Sequence, residues 1–184
     1  MNPLAAGLRQ PDARSCGAAS VVMAGLLREQ REASPDEFRA EVLACHQRLT
    51  AAHGDDGWQV PWPRALGTPP WAIKRELEAI TGRQHVVRLA RWSRAAAYDR
   101  LLASGGALYV GSRLLPRHVL LALGPALGDR GVLSCYQPSR GTVVSLPRAE
   151  FERGHLGDAG WPHPWFTVSP SATAVRRARP TSRR

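Results

Sequence analysis

A thiol placed where a helix starts is the first chemistry this sequence offers. Gln10-Pro11-Asp12-Ala13-Arg14-Ser15-Cys16-Gly17 is a polar, proline-containing loop that runs directly into the small, apolar stretch Ala18 to Leu27. Loop followed by helix puts Cys16 at a helix N-terminus, where unpaired backbone N–H groups and the helix dipole favour negative charge. The expectation is a Cys16 thiol with a lowered pKa and raised nucleophilicity at neutral pH. Gly17 is expected to keep the first turn open, so that a substrate carbonyl can approach the Cys16 N–H. Gln10, six residues upstream, offers its side-chain amide as a second donor to a developing oxyanion. Nucleophilic acyl transfer is the reaction class this arrangement serves.

The elements that must position these groups follow from the apolar pattern. A first helix runs from Cys16 to Arg28, with Ala18, Ala19, Val22, Met23, Leu26 and Leu27 giving it a wide apolar face. Ser34-Pro35-Asp36-Glu37 is a capping box with proline at the first helical position, and it opens a second helix reaching Ala52. Cys45 and His46 are adjacent on that helix, about 100° apart, so they do not share a metal; Cys45 reads as a small core residue. From His53 to Pro70 the chain is a long irregular segment. Trp58 and Trp62 there could line a groove or cover one end of the core. His53, Asp55 and Asp56 could hold a metal, but a turn rich in glycine and aspartate is the commoner explanation.

Thr68-Pro69 is expected to cap a third helix ending at Thr81-Gly82, followed by a strand over 85–89 and a helix from Ser93 to Ser104. The period then changes to that of strands. Ala107–Val110, His118–Leu123, Val132–Tyr136 and Thr142–Leu146 are short runs rich in Leu, Val and Tyr, separated by turn sequences. They predict an antiparallel meander, with a short helix over 147–154 and a closing strand over 165–168. Helices first and sheet second make an α+β domain, an N-terminal helical half packed on a C-terminal antiparallel sheet. Residues 1–170 read as one domain and 171–184 as a basic, disordered tail.

Composition narrows the function classes. The chain has 184 residues, 43% of them hydrophobic and 22% charged, which are globular values. No apolar run is long enough to span a bilayer, no secretory or lipoprotein signal pattern opens the chain, and no membrane partner is expected. Three cysteines without CxxC spacing argue against a disulfide framework or a zinc site and fit a reducing compartment. Together these predict a cytoplasmic protein without metal or cofactor, unless it is exported by a route that needs no N-terminal signal. The net charge of +10 comes from 24 arginines and one lysine, with five of the arginines in residues 175–184. Such a tail could bind nucleic acid. With no zinc finger, RNP-like motif or basic face alternating with aromatics, a solvated terminus is the preferred reading.

Gln-x5-Cys-Gly leading into an apolar helix resembles the start of papain-like cysteine peptidases. The likeness is to the compact branch typified by the double-glycine leader peptidase domains of bacteriocin exporters and their free-standing relatives. It spans Arg9 to Val168, and it implies a papain-like fold and a histidine base at the start of a strand in the sheet half. Arg117-His118-Val119-Leu120 supplies that histidine. In the family the third member is an Asp or Asn in a Tyr-Asp-Pro-x-x-Gly turn; this chain has Tyr136-Gln137-Pro138-Ser139-Arg140-Gly141. Gln137 could accept the imidazole N–H through its carbonyl as a neutral Asn would, but it is one methylene longer and carries no charge. Asp129 and Asp158 are alternative acids. The resemblance thus implies a cysteine hydrolase acting on a peptide or protein, with Cys16 as nucleophile, His118 as base, Gln137 orienting it and Gln10 at the oxyanion. A papain-like fold that has lost turnover and binds peptides is the alternative. The exporter relatives' cleavage after Gly-Gly is not carried over, since this sequence has neither membrane segments nor an ATPase.

Overall fold

The computed structural model describes residues 3–51, 53–54, 57–58 and 67–171. Helix α1 spans Cys16–Glu29 and α2 spans Pro35–Thr50, the latter opened by the expected capping box between Ser34 and Glu37. Two short strands, β1 (His53–Gly54) and β2 (Gly57–Trp58), pair antiparallel. Then come α3 (Pro70–Thr81), β3 (His85–Leu89), α4 (Arg94–Ser104), β4 (Gly106–Gly111), β5 (Pro116–Ala126), β6 (Asp129–Gln137), β7 (Thr142–Leu146), α5 (Arg148–Arg153) and β8 (His163–Pro170). A six-stranded sheet runs in the order β3-β8-β4-β5-β6-β7. Every neighbouring pair in it is antiparallel. The meander β4 to β7 is as expected; β8 inserts between β3 and β4.

The fold is mixed α+β, but its layering differs from a helical half set against a sheet half. Both faces of the sheet are covered. Ala107, Tyr109, Val119, Leu121 and Tyr136 pack with α1, α2 and α3 in one core. Leu108, Val110, Leu120, Ala122 and Cys135 pack with α4 and α5 in a second. The physical reason lies in the strands: Val119-Leu120-Leu121-Ala122 is apolar at every position, as a strand buried on both sides must be. Among the described residues no helix is long and apolar enough to cross a membrane.

The join between α1 and α3 fixes where Cys16 sits. A Cβ on Gly17 would lie 2.7 Å from both Cβ and Oγ1 of Thr68 and 3.0 Å from Cδ1 of Ile73. Gly17 therefore admits the close approach of α3; the space beside it is filled, and does not stand open as the sequence suggested. Thr68 does not cap α3 with its side chain, since Pro69 occupies the N-cap position. Its carbonyl instead accepts the Tyr109 hydroxyl at 2.9 Å, tying the start of α3 to the sheet.

Gly17→Ala should lower the free energy of unfolding by about 1–3 kcal/mol through overpacking. In the same helix Gly25 has nothing within 4 Å of its would-be Cβ, so Gly25→Ala should stabilise by about 0.8 kcal/mol from helix propensity. Urea unfolding of both variants checks the contrast.

Candidate active site

The loop before α1 is shaped by Asp12. Its Oδ1 accepts the N–H of Arg14 at 2.7 Å and of Ser15 at 3.0 Å, a local turn of the kind aspartate favours. That turn delivers the buried Ser15 and Cys16 to the first position of α1, against β5. The Val119 N–H faces the Cys16 sulfur, and the Val119 carbonyl accepts the Ser20 hydroxyl at 3.4 Å.

Alternation along β5 sets the His118 side chain with Leu120 on the face that α4 and α5 cover, opposite the face where Val119 and Cys16 meet, so the structure joins His118 to Gln137 but does not join either to the thiol. His118 precedes Val119, and its Nε2 lies 2.5 Å from Oε1 of Gln137. Gln137 precedes Pro138, whose carbonyl accepts the backbone N–H of Gln10 at 2.9 Å. Asp129 opens β6 opposite Ala126 at the far end of β5, where its Oδ1 accepts the N–H of Gly131. Asp158 sits in the 3-10 turn Gly157–Ala159, exposed. The place beside His118 belongs to Gln137.

The Gln137 amide is held at both ends. Its Nε2 donates to the Ala159 carbonyl at 2.9 Å, while Oε1 also receives the N–H and the hydroxyl of Ser139, each at 3.2 Å. Oε1 is therefore an acceptor only, so Nε2 of His118 must carry the proton and Nδ1 is left with a lone pair. Ser139, Ala159 and Val119 were not legible as site residues. The one signal for them was the extra methylene of Gln137, which needs further anchors to hold its carbonyl in place.

The electrostatics differ from the sequence expectation. Burial pushes the Cys16 thiol from 9.0 up to about 11, although the N–H groups of Val119, Gly17 and Cys16 itself pull the other way. The helix terminus is present, but desolvation of the buried Cys16 side chain outweighs it. Burial also lowers the His118 pKa, partly offset by the bond to Gln137. The resting pair is a neutral thiol and a neutral imidazole, with no hydrogen bond joining them. Gln10 departs from expectation too: its Nε2 donates to the Asp12 carbonyl at 2.5 Å, closing its own loop. One amide hydrogen remains for another acceptor.

Cys45 is buried as expected, with its thiol pushed up to about 12 by burial. Among the described residues no three His, Cys, Asp or Glu side chains cluster as for a metal. Trp62, Asp55 and Asp56, the side chains of His53 and Trp58, and the tail from 172 onward lie outside the described residues.

The imidazole titration tests this geometry. Gln137→Leu removes the bond that raises the His118 pKa and should lower it further, whereas Gln137→Glu places a carboxylate there and should raise it; NMR of the ring protons reads both. Because folded His118 titrates below its unfolded value of about 6.5, its contribution to stability is complete above that pH. It is lost as the pH falls through the folded value. Urea midpoints should therefore drop from pH 7 to pH 5, and less so in His118→Asn. Comparison with known proteins gives no identification: no protein-family model matches this chain, and no curated protein matches it.

Proposed function

We propose that this chain is a cysteine-dependent hydrolase of papain-like fold, acting by acyl transfer on a peptide bond. The observation that carries this reading is the His118–Gln137 bond. It leaves Nδ1 of His118 with a free lone pair at the end of β5, on the sheet face opposite the one where the Val119 N–H meets Cys16, so the two groups communicate around the end of that strand. The neutral resting pair selects the order of events. As Sγ of Cys16 attacks the substrate carbonyl carbon, its proton passes by way of a bridging water at the end of β5 to Nδ1 of His118, so thiolate character develops only during attack. The carbonyl oxygen takes the negative charge, held by the Cys16 N–H and the second hydrogen of the Gln10 amide. The imidazolium then protonates the leaving amine as the C–N bond breaks. Water, deprotonated by His118, hydrolyses the thioester and restores the thiol. No cofactor enters this scheme.

A neutral Gln137 orients the imidazole but does not stabilise the imidazolium as a carboxylate would. This fits general-base attack and disfavours a preformed thiolate–imidazolium pair. The missing thiol–imidazole bond also supports a second reading, a papain-like module that binds peptides without turnover.

An activated ester separates the two. With p-nitrophenyl acetate, the hydrolase reading expects a burst of p-nitrophenolate and an acetyl adduct confined to Cys16 on peptide mapping. His118→Ala should slow that acylation by about 10²-fold or more, and Cys16→Ala should abolish it. Acylation that ignores His118, or spares Cys16, leaves the binding module. The iodoacetamide rate at Cys16 should climb beyond pH 9 towards about 11 with no plateau near neutrality.

A further inference from the structure

The end of the sheet that carries His118 and Gln137 also carries a group of exposed large apolar side chains in loops with arginines that make no salt bridge. Trp92 follows β3 and is 81% exposed; Leu114 and Leu115, in the β4–β5 hairpin, are 83% and 47% exposed. The hairpin leads within three residues to His118. These pieces form one surface. The Arg91 guanidinium lies 4.6 Å over the Trp165 ring, and Trp165 donates its indole N–H to the Ser112 carbonyl at 2.9 Å. The loop after β3, the start of β8 and the β4–β5 hairpin are thereby joined.

The surface is cationic. After burial, the charges that lower the His163 pKa are those of Arg113, Arg94 and Arg91, then His155. Among the described residues no salt bridge engages Arg91, Arg94 or Arg113. Arg94 donates to the Glu152 backbone carbonyl, not to its carboxylate. A surface whose loops carry exposed Trp92 and Leu114 in chain next to Arg91 and Arg113, guanidiniums without a salt bridge, suits a ligand offering large apolar groups and carboxylates together.

We infer that Trp92, Leu114, Leu115, Arg91, Arg94 and Arg113 form the docking surface for a polypeptide segment in which acidic and large apolar side chains alternate. This rests on the proposed peptide hydrolase reading, which it deepens by naming the substrate's side chains beside the scissile bond. The guanidiniums pair with carboxylates and steer the segment in, while Trp92 and the two leucines bury its apolar groups.

Fluorescence anisotropy with labelled synthetic peptides tests it on the full chain and on Cys16→Ser, which blocks turnover. A Glu/Leu alternating peptide should bind at least about tenfold more tightly than Lys/Leu or Glu/Ser peptides of the same length, and more weakly as salt rises. Arg113→Glu and the exposed-site double variant Trp92→Ser/Leu114→Ser should each cost about tenfold or more, with far-UV circular dichroism unchanged. Equal binding of Glu/Leu and Lys/Leu peptides overturns the inference. So does indifference to these substitutions, or binding to phosphatidylglycerol vesicles with none to the peptides. Peptide binding without acylation of Cys16 would sink the hydrolase reading alone; acylation with no peptide preference would sink only the docking surface.

Discussion

A single buried amide, tied at both ends, holds one end of this structure's sheet together. Gln137 is 1% exposed, and an unsatisfied polar group at such a position costs about 1–3 kcal/mol. Its nitrogen is answered by Ala159 and its oxygen by His118 and Ser139. The consequences spread from there. The imidazole tautomer is set, the 3-10 turn at 157–159 is pinned under β6, and the following Pro138 takes hold of the N-terminal loop through Gln10. Tyr136, one residue earlier, adds a bond from its hydroxyl to the Leu8 carbonyl at 2.7 Å. Three stretches of chain far apart in sequence meet at one turn.

Burial governs the chemistry as firmly as it governs the packing. A helix terminus contributes about 0.3–1 kcal/mol to a nearby charge. The rise of the Cys16 pKa from 9.0 to about 11 amounts to about 3 kcal/mol against the thiolate, at about 1.4 kcal/mol per unit. Desolvation wins by that comparison. The small residues that make α1 easy to bury, Ala18 and Ala19 at 0% exposure among them, are the ones that carry the thiol beneath the surface.

Local signals read well and contextual ones did not. Ser34 and Glu37 announced α2, and Gly82 and Gly105 marked the ends of α3 and α4 with positive φ. Cys16, His118 and Gln137 could be singled out because each stands in a short motif; the structure joins His118 to Gln137 and sets Cys16 on the opposite face of the sheet. The two-sided burial of the sheet was written in the unbroken apolar run of β5, yet such a run does not say which helices cover which face. Nor could spacing reveal that Gly17 is small because Thr68 lies against it, or that the Gln10 amide turns back on Asp12. The first depends on a contact between segments about fifty residues apart and the second on a side-chain rotamer within one loop, and one-dimensional periodicity carries a term for neither.

The place of β8 in the sheet has a bearing on synthesis. It comes last among the strands, yet it lies between β3 and β4 and bonds to both. During translation the meander β4 to β7 can pair as it emerges, by local hairpins, while β3 has no strand beside it until residues 163–170 arrive. The sheet therefore closes through a contact of long sequence separation, the slow kind in folding. Until it closes, one edge of β4 stays open to other chains, a known route to aggregation. The edge of β4 lies one strand from His118, so a nascent chain completes the sheet around His118 and Gln137 only when nearly all of the domain has left the ribosome.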